Sequence, residues 1–158
     1  MKILILVGTM TENATHAADE IAHAYNGKGA DIEVEMMDFV DTGVFERDAV
    51  FLIVTSTYGQ GDVPDNTKAL YDALCSQRPD LSSVRYGVFG LGDRTYAQTF
   101  NNGGKRFDDI LSELGAKRIG ERAMHDASCG DLPEDVAVEW FAQWLSCCQQ
   151  ASLEPVPR

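Results

Sequence analysis

The chain of 158 residues is long enough for one well-buried domain and short for two. Its 25 acidic and 13 basic residues give a formal net charge of −12, which argues against nucleic acid or an anionic membrane as a partner, because both attract clustered lysine and arginine. The apolar start at residues 3–7 is far too short for the core of a signal peptide, and no other apolar run approaches transmembrane length. We therefore expect a cytoplasmic protein whose acidic surface either keeps it in solution or docks a basic protein.

Short apolar runs alternate with amphipathic helical stretches along the chain. Several of the apolar runs are continuous, which is typical of strands in a sheet that is covered by helices on both faces. A loop with a short turn is predicted at residues 39–45, one α/β domain over residues 1–148, and a disordered tail over residues 149–158. The strands are predicted at residues 2–7, 31–36, 49–55, 84–91 and 117–124, and the helices at residues 13–26, 64–76, 102–114 and 133–148.

Five strands that alternate with helices predict a doubly wound parallel sheet, a three-layer sandwich, most simply with the strand order 2-1-3-4-5. The strand order reverses between strands 1 and 3, and ligands of such sheets bind there, outside the carboxyl ends of the strands. Polar or glycine-rich segments leave the ends of strands 1, 3 and 4 at Gly8, Ser56 and Gly90. The sequence therefore predicts that these three segments form one binding site.

The segment after the first strand has the composition of an anion-binding helix start. Hydroxyl groups and exposed backbone amides bind an anion without a cationic side chain, and no lysine or arginine lies between Gly8 and Thr15. A Walker A loop requires its lysine, so that kind of site is excluded. A monophosphate fits, and a helix cap without a ligand is the alternative when this segment is read alone. The candidate contacts are Thr9, Met10, Thr11, Glu12, Asn13 and Ala14.

Two tyrosines follow the ends of two neighbouring strands, Tyr58 after the third and Tyr96 after the fourth. Each is preceded or followed by glycines, which allow the backbone to approach a ligand closely. We expect the two rings to stack on the two faces of one planar cofactor. The residues expected to contact it beside Tyr58 are Ser56, Thr57 and Gly59.

Together the stretches 56–66 and 90–96 resemble the flavodoxin family, in particular its short-chain stand-alone members of the MioC type, and the FMN domains of diflavin reductases. The resemblance extends over residues 2–144 and implies a flavodoxin-like fold with non-covalent FMN. Glu12 departs from the family pattern, which usually has glycine there, and we expect its side chain to face solvent. Further FMN contacts implied by the resemblance are Leu91, Gly92, Asp93, Phe100, Asn101 and Asp126.

The resemblance implies an electron-transport flavoprotein and not an enzyme: a monomer that shuttles single electrons between a flavoprotein reductase and acceptor enzymes, docking them on an acidic face. An FMN-dependent NAD(P)H:quinone reductase on the same fold is the alternative, which direct turnover of NAD(P)H without an added reductase would identify. A phospho-receiver domain shares this topology but needs an acidic pair after strand 1 and an aspartate at the end of strand 3. Gly8-Thr9 and Ser56-Thr57 stand at those places, which excludes it.

No catalytic residue and no metal site is predicted. The four cysteines lack metal-ligand spacing, and we expect buried or half-buried free thiols. The three histidines are scattered, and we expect them at the surface or in caps. These residues are Cys75, Cys129, Cys147 and Cys148, and His16, His23 and His125.

Overall fold

The computed structural model describes residues 2–8, 13–28, 30–56, 67–92, 102–126 and 132–151. Within these residues, six strands form one sheet in which every pairing is parallel. The order β2-β1-β3-β4-β5 confirms the predicted topology, and β6 pairs with β4 as well. The strands are β1 (Lys2–Gly8), β2 (Asp31–Met36), β3 (Val50–Ser56), β4 (Arg85–Gly92), β5 (Lys117–Arg118) and β6 (Ala123–Asp126).

Helices cover both faces of the sheet and complete the predicted three layers. Helices α1 and α4 share one hydrophobic core with the sheet, while α2, α3 and two short 3-10 helices share the core on the other face. Among the described residues, no helix is both long enough and apolar enough to cross a membrane. The helices are α1 (Asn13–Tyr25), α2 (Lys68–Gln77), α3 (Asn102–Glu113) and α4 (Pro133–Ala151), and the 3-10 helices are Met37–Phe39 and Thr42–Glu46.

Strand β1 shows why the apolar runs are continuous. Ile3, Ile5 and Val7 belong to the core beneath α1 and α4, whereas Leu4 and Leu6 belong to the opposite core. All five side chains are at most 1% exposed. Successive side chains of a strand point to opposite faces, so a strand with helices on both sides is apolar throughout. Because burying one such side chain contributes about 1.5–3 kcal/mol, β1 is firmly held at the centre of the sheet.

The fifth strand is not continuous, and the prediction of one strand over residues 117–124 was wrong. Segments β5 and β6 both pair with β4, but residues 119–122 between them do not belong to a strand. The backbone N–H of Ile119 still donates a 2.7 Å hydrogen bond to the carbonyl oxygen of Tyr86 in β4. The indole nitrogen of Trp144 in α4 donates a buried hydrogen bond of 3.1 Å to the carbonyl oxygen of Ile119. The next residue, Gly120, has φ +70°, a backbone conformation that residues with a side chain rarely adopt. Helix α4 therefore binds the carbonyl group at the point where the strand is interrupted.

Most other described boundaries lie within one residue of the prediction, and the larger differences are at residues 39–45 and at the end of α4. The stretch predicted as a loop at residues 39–45 contains parts of both 3-10 helices. Helix α2 is described from Lys68, and its predicted start at residue 64 lies outside the described residues. Helix α4 continues to Ala151, three residues past the predicted end, because glutamine and alanine favour helix and buried Cys148 holds this turn against the core. The predicted tail begins within that helix, and residues 152–158 lie outside the described residues.

The cysteines only partly match the expectation of buried or half-buried thiols. Cys75 and Cys147 are exposed and Cys148 is buried, while Cys129 lies outside the described residues. Successive positions on a helix point in different directions, so only one of the adjacent pair in α4 can face the core. Burial, and secondarily the negative charge of a Cys147 thiolate, raise the pKa of the Cys148 thiol to about 12.

A buried tyrosine ties α3 to the sheet. The Tyr86 side chain is fully buried, and its hydroxyl donates to Asp108 Oδ1 at 2.6 Å. The other carboxylate oxygen of Asp108 accepts from Arg118 in β5. Burial, and then the hydrogen bond to Asp108, raise the pKa of Tyr86 well above its usual value. The three side chains join β4, α3 and β5 in one charge-assisted network.

We predict that Tyr86→Phe lowers the unfolding free energy at pH 7 by about 1–2 kcal/mol, because a hydrogen bond to a charged group is lost. The native pKa is raised above the unfolded value, so the stabilisation is complete below pH ~10 and is lost as pH rises further. Urea unfolding at pH 8, 10 and 11 should therefore show a difference between parent and variant that shrinks with pH. A constant difference would contradict this account.

Candidate functional site

The carboxyl ends of four strands lie side by side along one edge of the sheet. Gly8 at the end of β1 pairs with Thr55 in β3, Thr55 pairs with Gly90 in β4, and Gly90 pairs with Met124 in β6. Neighbouring strands lie about 4.8 Å apart, so this row crosses the edge without a gap. We call it the carboxyl edge.

The register brings four of the predicted contact residues together at this edge. Ser56 pairs with Leu91, and Gly92 pairs with Asp126. Leu91 is only 6% exposed and packs in the core beneath α1 and α4. It can therefore offer a ligand its backbone but little of its side chain. At Leu91 the candidate site therefore offers main-chain groups above an apolar floor.

The first turn of α1 follows directly on the predicted phosphate segment. Asn13 is the first residue of the helix, and Ala14 is fully buried against the core shared with the sheet. The first turn of α1 contains no acidic side chain. The first amides of a helix lack partners within the helix and carry partial positive charge, so they favour an anion. This donor set fits the phosphate of FMN.

The remaining predicted contacts lie outside the described residues and stay predictions. They are Thr9, Met10, Thr11, Glu12, Thr57, Tyr58, Gly59, Asp93, Tyr96, Phe100 and Asn101. Of the predicted contacts, the structure thus describes Asn13, Ala14, Ser56, Leu91, Gly92 and Asp126.

Sequence reasoning missed three buried polar residues near the carboxyl edge. Thr55 and Thr67 are 0% exposed, and His125 is 4% exposed. The expectation that His125 lies at the surface was therefore wrong. His125 is a buried residue of β6 that pairs in register with Leu91. His16 and His23 are exposed, as predicted. Thr55 could have been noticed, because it is a hydroxyl residue directly after the apolar run of β3, and buried hydroxyls need partners.

A basic cleft lies at the opposite end of the sheet. It has a volume of about 220 Å³ and includes Arg85, Lys117 and Arg118, with Cys147 and Gln150 of α4. Arg85 is the first residue of β4, and an eight-residue strand spans roughly 23 Å. This amino-end cleft is therefore separate from the carboxyl edge.

Comparisons with known proteins show which family this chain belongs to. A family model described as Flavodoxin matches residues 5–140. The chain is 33% identical to Protein MioC from Escherichia coli, over 91% of this chain and 96% of that protein. It is 37% identical to Flavodoxin YqcA, also from Escherichia coli, over 90% of this chain and 95% of that protein. It is 35% identical to human NADPH–cytochrome P450 reductase over 96% of this chain and 23% of that protein. A mutant flavodoxin from Pseudomonas aeruginosa superimposes with a TM-score of 0.82 at 31% identity, covering 93% of this chain and 98% of that one.

The charge at the start of α1 can be tested by substitution. We predict that Asn13→Asp weakens FMN binding about fivefold to tenfold, because a carboxylate near a phosphate costs on the order of 1 kcal/mol. Binding of riboflavin, which lacks the phosphate, should stay unchanged, and the apoprotein should be as stable as the parent or slightly more stable. Titration of flavin fluorescence gives both affinities. Equal weakening of both flavins would show that Asn13 does not lie near the phosphate.

Proposed function

This chain belongs to the flavodoxin family, and from that premise we propose that it carries single electrons between a flavoprotein reductase and acceptor enzymes. Its cofactor is FMN, whose ring supplies the one-electron chemistry when bound. Members of the family are electron carriers rather than enzymes. The observation that carries the proposal is the family match, because residues 5–140 include every predicted cofactor contact from Thr9 to Asp126.

The phosphate end of the site is assigned to the segment that follows β1. The first amides of α1 would donate to phosphate oxygens, together with the hydroxyl groups of Thr9 and Thr11. Burial of Ala14 supports this assignment, because it holds the start of the helix against the sheet. A donor group that is fixed before binding needs little additional ordering, which favours affinity.

The ring end is assigned to the carboxyl edge between β3 and β4. The backbone of Ser56, Leu91 and Gly92 would line one side, with Asp126 at the end of the neighbouring β6. Tyr58 and Tyr96 are proposed to stack on the two faces of the ring. The apolar floor beneath the edge would exclude water from one side of the site.

We propose that redox partners dock on an acidic face around the carboxyl edge. The connecting segments 9–12, 57–66, 93–101 and 127–131 contain five acidic residues and one basic residue. Glu134 and Asp135 add two carboxylates in the first turn of α4. The acidic residues of the segments are Glu12, Asp62, Asp65, Asp93 and Asp131, and the basic one is Arg94. A basic surface on a reductase or acceptor would complement this charge and speed encounter.

The carrier role can be separated from reductase activity by a coupled assay. The FMN-loaded protein is mixed with NADPH and cytochrome c, with and without an NADPH-dependent flavoprotein reductase. We predict that the protein increases cytochrome c reduction only when the reductase is present. Rapid oxidation of NADPH by a quinone with this protein alone would contradict the proposal and identify the quinone reductase instead.

The acidic face can be tested with two matched double variants. The first double variant, Glu134→Gln with Asp135→Asn, removes two charges near the carboxyl edge. The second, Asp31→Asn with Asp48→Asn, removes two exposed charges near the opposite edge, because Asp31 is the first residue of β2 and Asp48 lies just before β3. At low salt the first pair should slow electron delivery by the reductase on the order of threefold to tenfold, while the second has little effect.

Rising salt should remove the difference, because exposed charges are screened over about 8 Å at physiological ionic strength. Equal slowing by both pairs would show that only net charge matters. Unfolding curves control for the loss of favourable charge at the start of α4, which costs about 0.3–1 kcal/mol per residue.

A further inference from the structure

A close contact at the end of β1 joins two parts of the chain that lie far apart in sequence. A Cβ atom added to buried Gly8 would lie 2.2 Å from Thr67 Cγ2 and 2.8 Å from Thr55 Oγ1. Real Cβ atoms do not approach other heavy atoms so closely. Both threonines therefore pack directly against the α-carbon of Gly8, and only glycine fits at this point.

The three residues of this contact flank two of the segments assigned to FMN, residues 9–12 (the phosphate segment) and residues 57–66 (the tyrosine segment). Gly8 directly precedes the phosphate segment that begins at Thr9. Thr55 lies in β3 just before the segment 57–66 that contains Tyr58, and Thr67 directly follows that segment at the start of α2. This contact therefore brings together the start of the phosphate segment and both ends of the tyrosine segment.

The side chains of this junction are suited to a fixed contact. Thr55 and Thr67 are both 0% exposed, and the sulfur of Met37 would lie 3.4 Å from the same added Cβ. Threonine is branched at Cβ and has few accessible rotamers, so its methyl group keeps its direction. In a close-packed interior, the loss of a single methyl group is felt by its neighbours.

We propose that Thr67 is a positioning residue for FMN. Its methyl group, packed against Gly8, sets the phosphate segment and the tyrosine segment in one relative position, so that phosphate and ring bind together. Loosening the junction would let Gly8 and Thr67 shift relative to one another, and the phosphate would then contribute less to affinity. This inference rests on the proposed function, because it assumes that FMN is the ligand.

The test compares FMN with riboflavin in three variants of the full chain. Thr67→Ser removes the methyl group and keeps the hydroxyl; Thr67→Val keeps the methyl group and removes the hydroxyl. Ile110→Val is the matched control, because it removes one methyl group from a buried position of α3 near the other end of the sheet. Flavin fluorescence gives the dissociation constants, and thermal unfolding of the apoproteins gives stability.

We expect the ratio of the riboflavin to the FMN dissociation constant to fall up to about tenfold in Thr67→Ser, in line with the free energy of one buried methyl group. The ratio should stay at the parent value in Thr67→Val and in Ile110→Val. A merely structural role would lower the unfolding temperature of Thr67→Ser and Ile110→Val alike and leave both ratios unchanged, which would overturn the inference.

A complementary pair tests the contact itself. Gly8→Ala should lower the same ratio, because the new methyl group meets Thr67, and combining it with Thr67→Ser should restore part of the loss. Additive losses in the double variant would overturn the direct contact. A parent protein that binds neither flavin would overturn the proposed function, and the positioning role with it, whereas normal binding by all variants would overturn the positioning role alone.

Discussion

Parallel pairing of β3 with both β1 and β4 is the constraint on which the rest of the structure depends. It places Gly8, Thr55 and Gly90 in one row and sends the chain out of the sheet at the same edge three times. The ends of these neighbouring parallel strands bring main-chain groups together along one edge. The topology thus places backbone groups at the edge where ligands of such sheets bind, before any particular side chain is considered.

The starts of the helices at this edge have the amide groups that favour an anion. Each connection between parallel strands begins at the carboxyl edge, so the amides of helix starts accumulate there. Only four residues separate the end of β1 from the start of α1. The two hydrophobic cores hold the helices on both faces of the sheet. Binding energy can then come from groups that folding has already fixed, which explains how an acidic chain can hold a phosphate ester.

The sequence alone predicted the elements whose pattern lies within a single stretch of the chain. The apolar runs of β1 and β3 predict buried parallel strands, and their ends predict where a ligand binds. The interruption of the fifth strand could not be predicted, because the group that binds the Ile119 carbonyl is Trp144, on another element of the fold. The packing of Thr67 against Gly8 was missed for the same reason, since their contact joins the connection after β1 to the connection after β3. His125 was misplaced because a histidine near a strand end carries no signal of burial.

The central claim is that FMN binds at the carboxyl edge and not elsewhere on the sheet. Titration of the isotopically labelled apoprotein with FMN, followed by amide chemical shifts, tests it most directly. The account predicts that the largest changes among the described residues occur at Gly8, Asn13, Ser56, Leu91 and Asp126. Changes that concentrate at Arg85 and Lys117 in the amino-end cleft, with none at the carboxyl edge, would contradict it.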